Sequence, residues 1–180
     1  LGGGQRQRQV AVAEEFAVRA LFQVQAVGRP EHPRAELGDG IMALRVLPVA
    51  ALPGAGLVNL HAVLAAQDGQ APGTPTPEEI VRGALYGTNP RHAAALELFC
   101  GFLGSFAGDM ALTFAARGGV LIGGGIAPHI VPVLRESSFR TRFAAKGRFA
   151  DYVRQIPTAV IVRPEPTFLG LAALASRADG

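Results

Sequence analysis

Cysteine is nearly missing: the 180-residue chain carries one, Cys100. A disulfide within the chain is therefore impossible, and so is a zinc site built on several thiolates. Charge is also scarce, with Asp, Glu, Lys and Arg making 17% of residues against 49% apolar ones. That balance excludes a disordered acidic or basic tail. Glycine (23) and proline (13) together stay below the low-complexity range and follow no collagen period. Lysine is reduced to Lys146, so arginine carries the net charge of +3. Long uninterrupted apolar runs are absent too: the longest candidate, residues 118–134, is broken by Gly123–Gly125, Pro128 and Pro132. No Lys/Arg-then-apolar leader opens the chain, and it begins with Leu1, as expected of a fragment or a trimmed gene product. Together these point to one domain or a piece of one, in a reducing cytoplasmic compartment, with neither membrane nor nucleic acid as partner.

One stretch argues mildly otherwise. Between Arg135 and Arg154 six basic residues face Glu136 and Asp151, an excess of +4. Phe139, Phe143, Phe149 and Tyr152 are interleaved there, but their spacings also suit the anchors of short helices. The expected reading is a solvated structural face, not a nucleic-acid platform.

Organisation sharpens along the chain. Residues 1–9 are Gly/Gln/Arg-rich and read as flexible, 10–27 as a loosely periodic helix, and 28–40 as a Pro/Gly loop. From Leu57 to Leu64 a helical pattern follows Gly54 and Gly56. Thr76-Pro77-Glu78-Glu79 reads as a capping box with proline at the first helical position. Asn89-Pro90 is a second start, opening a long helix to about Ala116. Its apolar stripe is Leu96, Phe99, Leu103, Phe106, Met110 and Phe114. The opposite side holds Gly101, Gly104 and Gly108, which invites another backbone to pack closely, or a second subunit to dock. Val120–Ile122 and 158–162 read as buried strands, with helices between and after them. Alternating helices and strands imply an α/β fold with parallel pairing.

The pattern richest in chemistry is strand, glycine triplet, helix: Val120 to Ile122, then Gly123, Gly124 and Gly125, then Ile126 onward. Glycine lets a ligand approach the backbone, and helix-opening amides favour negative charge, so a nucleotide could sit here. A plain strand-to-helix turn explains the pattern equally well. Gly54 and Gly56 repeat the logic more weakly. Asp109, inside an apolar helix, reads as a buried carboxylate with a structural partner. The four histidines (His32, His61, His92, His129) have no metal-ligand spacing and read as packing or surface residues, and Cys100 reads as an inert core thiol.

Several segments in this order resemble bacterial glucokinases. They are Gly56-Leu57-Val58-Asn59-Leu60, Leu98-Phe99-Cys100, the run Leu103 to Leu112, the run Gly118 to Pro128, Phe143-Ala144-Ala145-Lys146-Gly147-Arg148-Phe149, Ile156-Pro157 and Leu169-Gly170. The resemblance covers Gly54 to Ala175. It implies a partial actin/hexokinase-like (ribonuclease H-like) ATPase lobe, helix-rich with few strands. It implies residues 53–177 as the carboxyl-terminal lobe and 1–52 as a divergent, partly disordered segment. The family moves the terminal phosphoryl group of ATP, with Mg²⁺, onto the 6-hydroxyl of glucose. By resemblance Gly123, Gly124 and Gly125 would lie against ATP, and Gly54 and Gly56 would belong to a Ser-Gly-x-Gly turn near the cleft, with Pro53 in the serine's place.

Other family motifs are absent from this sequence. It has no Asp-x-Gly-Gly-Thr phosphate loop and no Glu-Gly-Gly-His sugar motif, and its only asparagines, Asn59 and Asn89, precede Leu and Pro, not the catalytic Asp. Val49 stands where a sugar-binding glutamate is expected. No catalytic residue is therefore assigned, and the isolated chain is expected to be inactive. The rival expectations are a nucleotide- or sugar-responsive regulatory module and a homodimer built on the long helix.

Overall fold

The computed structural model describes residues 24–26, 42–44, 54–164 and 168. Its first elements are two short strands, β1 (Val24–Ala26) and β2 (Met42–Leu44). Helices α1 (Gly54–Gln67), α2 (Pro77–Leu85) and α3 (Pro90–Thr113) follow. Then come β3 (Val120–Ile122), a 3₁₀ turn at Ala127–Ile130, and the short helices α4 (Val131–Glu136) and α5 (Phe139–Ala144). A second 3₁₀ turn at Gly147–Phe149, α6 (Ala150–Arg154) and β4 (Thr158–Ile161) complete the described order.

The sheet runs β1-β4-β3-β2. β3 pairs parallel with β4, Leu121 opposite Ala159, as the helix–strand alternation requires. Both outer edges of this pair are covered. β2 adds in parallel beside β3, and β1 adds antiparallel beside β4. The sequence reading places residues 24–26 in a helix and leaves the sheet with two strands. Pairing with Ile161, Val160 and Ala159 overrides that weak local periodicity. The expected helix at 10–23 and the final helix after Pro166 lie outside the described residues, except Phe168.

Local chemistry sets the helix starts. The Thr76 hydroxyl accepts from the Glu79 amide at 3.2 Å, and the Glu79 carboxylate accepts from the Thr76 amide at 2.8 Å. Asn89 Oδ1 accepts from the Arg91 amide at 2.9 Å, and Pro90 occupies the first turn of α3. The end of α3 departs from expectation. It stops at Thr113, and Ala115, not a glycine, turns the chain with φ of 50°. The Ala115 amide donates to Leu112 O and the Ala116 amide to Ala111 O, the paired bonds of a Schellman motif.

α3 is the central rod. Leu96, Phe99 and Leu103 of the expected stripe are buried, Phe106 and Met110 are half-buried, and Phe114 is exposed. By length and composition α3 could cross a bilayer, which the sequence reading did not single out; here it packs against α1, α2 and α5. Its glycine side meets the expected close neighbour. A Cβ on Gly104 would collide with the Phe139 carbonyl, and one on Gly108 with the Phe143 carbonyl. α5 thus fills the face that the sequence reading offers to a second subunit.

Polar ties fix α5 in place. The Glu97 carboxylate of α3 accepts from the Ser138 amide at 2.9 Å. Arg140 donates to Ile156 O at 3.2 Å and Arg154 O at 3.1 Å, and its guanidinium lies 4.6 Å from the Phe143 ring centre. Lys146, its side chain only 10% exposed, donates to Ser105 O at 2.8 Å and pairs with Asp109 at 2.7 Å. Asp109 is therefore an exposed partner of a sheltered lysine, a correction to the expected buried carboxylate. Elsewhere in the basic stretch 135–154, Arg154 pairs with Asp151 on the surface of α6, and Arg142 and Arg148 are exposed, as a solvated face requires.

Candidate functional site

β3 is buried on both sides and delivers the chain to Gly123 at its carboxyl end. Gly123 is half-buried; Gly124 and Gly125 face outward. Gly124 has φ of 133°, open only to glycine without strain. A Cβ at Gly124 or Gly125 would meet nothing within 4 Å, so the loop borders open space. The segment after it is a four-residue 3₁₀ turn followed by a six-residue helix, where sequence reading expects one helix from Ile126 to Leu134. The dipole at the loop is correspondingly short, and exposed backbone, not a long helix, is what the loop presents.

A cleft of roughly 350 Å³ opens beside Gly125. Gly125, Ile126 and His129 form one wall. α2 forms the other with Pro77, Glu78, Val81, Arg82 and Leu85, ending in Tyr86 at its C-cap. The size suits a small ligand, and the lining combines apolar side chains with a carboxylate, a guanidinium, an imidazole and a phenol. Leu85 and Tyr86 are exposed at 40% and 76%, so apolar surface faces the opening.

The expected site residues divide. Gly123, Gly124 and Gly125 stay together at the strand end, and Gly125 reaches the cleft. Gly54 and Gly56 lie inside the first turn of α1, not in a loop before it, and neither lines this cleft. Tyr86, Arg82, Glu78 and His129 were not named as site residues in the sequence reading. The capping box announced α2, but nothing local announced that α2 lies across from the glycine loop. Cys100 is buried, and desolvation pushes its thiol up to about 12, so it stays protonated and inert, as expected. Among the described residues no three His, Cys, Asp or Glu side chains gather as a metal-binding group.

Comparison with known proteins gives the family. The glucokinase family model matches residues 42–178, beginning twelve residues upstream of Gly54, where the resemblance read from the sequence starts. The glucokinase of Nitrobacter hamburgensis is 46% identical over 124 residues, covering 69% of this chain and 39% of that protein. That of Paramagnetospirillum magneticum is 45% identical over 136 residues, covering 76% and 41%. The crystal structure of a glucokinase from an Antarctic psychrotroph superposes with a TM-score of 0.62 at 36% identity, covering 67% of this chain and 38% of that one. The chain thus spans about two fifths of the length of the relatives it matches. Its helix-rich α/β architecture with few strands is that of the actin/hexokinase-like enzymes, and the chain belongs to the glucokinase family.

Proposed function

We propose that this chain forms the nucleotide-holding part of an ATP-dependent glucokinase, which transfers the terminal phosphoryl group of ATP to glucose. The observation that carries this reading is the cleft between α2 and the Gly123–Gly125 loop, at the carboxyl end of a parallel strand in a chain of this family. Ligands of open α/β sheets gather at strand carboxyl ends. Exposed amides of a glycine loop can approach phosphate oxygens without a Cβ between them. In this reading the apolar edges of Val81, Leu85, Tyr86 and Ile126 shelter the base, and Arg82 and His129 supply polar contacts. The described residues offer no ligand cluster for Mg²⁺; the ion would arrive on the nucleotide's own phosphates and offset their charge there.

The sequence has no Asn-Asp pair to supply the family's proton acceptor. Asn89 is spent as the cap of α3, and Asp109 is tied to Lys146. Phosphoryl transfer depends on positioned groups, so nucleotide binding and catalysis separate in this chain.

Calorimetry with ADP and with an ATP analogue tests the reading. Both should bind the purified chain. Gly125→Leu should lower affinity at least tenfold with an unchanged melting temperature, because its side chain enters the cleft and touches no core atom. Failure of the parent chain to bind any adenine nucleotide, or equal binding by the variant, would overturn it.

A further inference from the structure

α1 and α3 each bring one imidazole to their junction. His61 and His92 meet edge to face, ring centres 5.1 Å apart at 61°. His61 is 4% exposed, and neither of its nitrogens has a hydrogen-bond partner; nor has Nδ1 of His92. That Nδ1 lies against α2, close enough to Gly83 that a Cβ there would collide with it. Three helices therefore meet at a buried His61 and a half-buried His92, with three ring nitrogens shut away from water and unmatched. Buried polar groups are almost always hydrogen-bonded, so three unmatched nitrogens in one place call for a physical account.

Among the described residues, three charged groups bear on the pair. α3 contributes Arg91, which opposes protonation of both rings. α2 contributes Glu79, which favours protonation of His92 but is also committed to the capping box. α1 contributes Asp68 just beyond its end, and that carboxylate is bonded to Arg91 at 3.1 Å. A proton on either ring would thus place a cation beside a second imidazole and a guanidinium, with Glu79 and Asp68, each already engaged elsewhere, as the carboxylates to answer it.

We propose that His61 and His92 form a proton-sensitive latch. Neutral, the pair lets α1, α2 and α3 close on one another. Protonated, it forces the junction apart, and α2 loses its support. Because α2 is one wall of the candidate cleft, acid would weaken ligand binding there; this coupling rests on the nucleotide reading, whereas the latch itself does not. Burial acts in the same direction, holding both imidazoles below their usual 6.5. A histidine with a lowered folded value stabilises the fold above the unfolded value, and that contribution drains as pH falls through 6.5 toward the folded value.

Thermal unfolding of the 180-residue chain between pH 7.5 and 5.8, without nucleotide, tests the latch against His61→Phe/His92→Phe. The parent chain's midpoint should fall below pH 6.5, and the double variant should lose that step. A flat parent curve, or a step retained in the variant, would sink the latch. Should the variant not fold, NMR titration of the parent decides: both imidazoles should titrate below 6.5, and midpoints at or above it overturn the proposal. ADP titrations at the two pH limits test the coupling, which requires weaker binding at pH 5.8 in the parent but not in the variant. Equal weakening in both breaks the coupling. Absence of ADP binding at pH 7.5 defeats the nucleotide reading, while the unfolding series still judges the latch.

Discussion

Gly104 shows how a single hydrogen atom can hold two helices together. The α5 backbone sits where a Cβ would be, with the Phe139 carbonyl, Cα and carbon all against that position. Alanine would improve helix propensity by about 1 kcal/mol. It would also force a main-chain segment outward, and overpacking of that kind costs about 1–3 kcal/mol or more. Gly104→Ala is therefore expected to lower unfolding free energy by up to about 2 kcal/mol in urea titration. Gly101→Ala serves as the internal control, since its Cβ would meet the Ser138 hydroxyl at 3.0 Å, an atom that can rotate away. That variant should stay within about 1 kcal/mol of the parent. Equal stability of the two variants would mean that α5 does not lie this close to α3. The spacing of the three glycines was legible in the sequence. Which one touches backbone was not, because that depends on where a segment over thirty residues away comes to rest.

Among the elements, α3 carries an imperfection that the sequence concealed. The sequence reading runs it to about Ala116, yet the helix ends at Thr113 and Ala115 takes the left-handed turn. A left-handed conformation costs an alanine about 1 kcal/mol, which glycine avoids. Ala115→Gly should keep the two bonds to Leu112 and Ala111 while relieving that strain. The added freedom of glycine in the unfolded chain removes part of the gain. The net expectation is an increase of up to about 1 kcal/mol, read as a higher melting temperature; a lower one would show that the turn is not strained. The helix starts at Thr76 and Asn89 were legible because capping is complete within three residues. The helix end was not, because the Schellman bonds accept alanine wherever packing holds the chain in place.

At the scale of the whole molecule, the chain covers about two fifths of its relatives' length and carries both walls of the cleft at the end of β3. Its sequence has no Asn-Asp pair and no Glu-Gly-Gly-His motif. Glucose-dependent release of ADP by the purified chain should therefore stay at the background set by Gly125→Leu, even where ADP binds. A coupled assay showing turnover above that background would refute the separation of binding from catalysis. Family membership and the parallel β3–β4 pair were readable before any coordinates, since co-linear motifs and apolar runs bounded by glycine and proline are local signals.

The residue order alone determined the capped starts of α2 and α3, the buried strands at 120–122 and 158–162, the second one residue longer than in the structure, and the glycine loop that follows the first of them. Each of these is settled by neighbours a few positions apart. Only the tertiary structure decided that β1 and β2 flank the sheet, that α2 faces Gly125, and that His61 meets His92. These are encounters between distant segments. They follow from how the apolar faces of α1, α2, α3 and α5 bury one another, and no short-range pattern records that outcome.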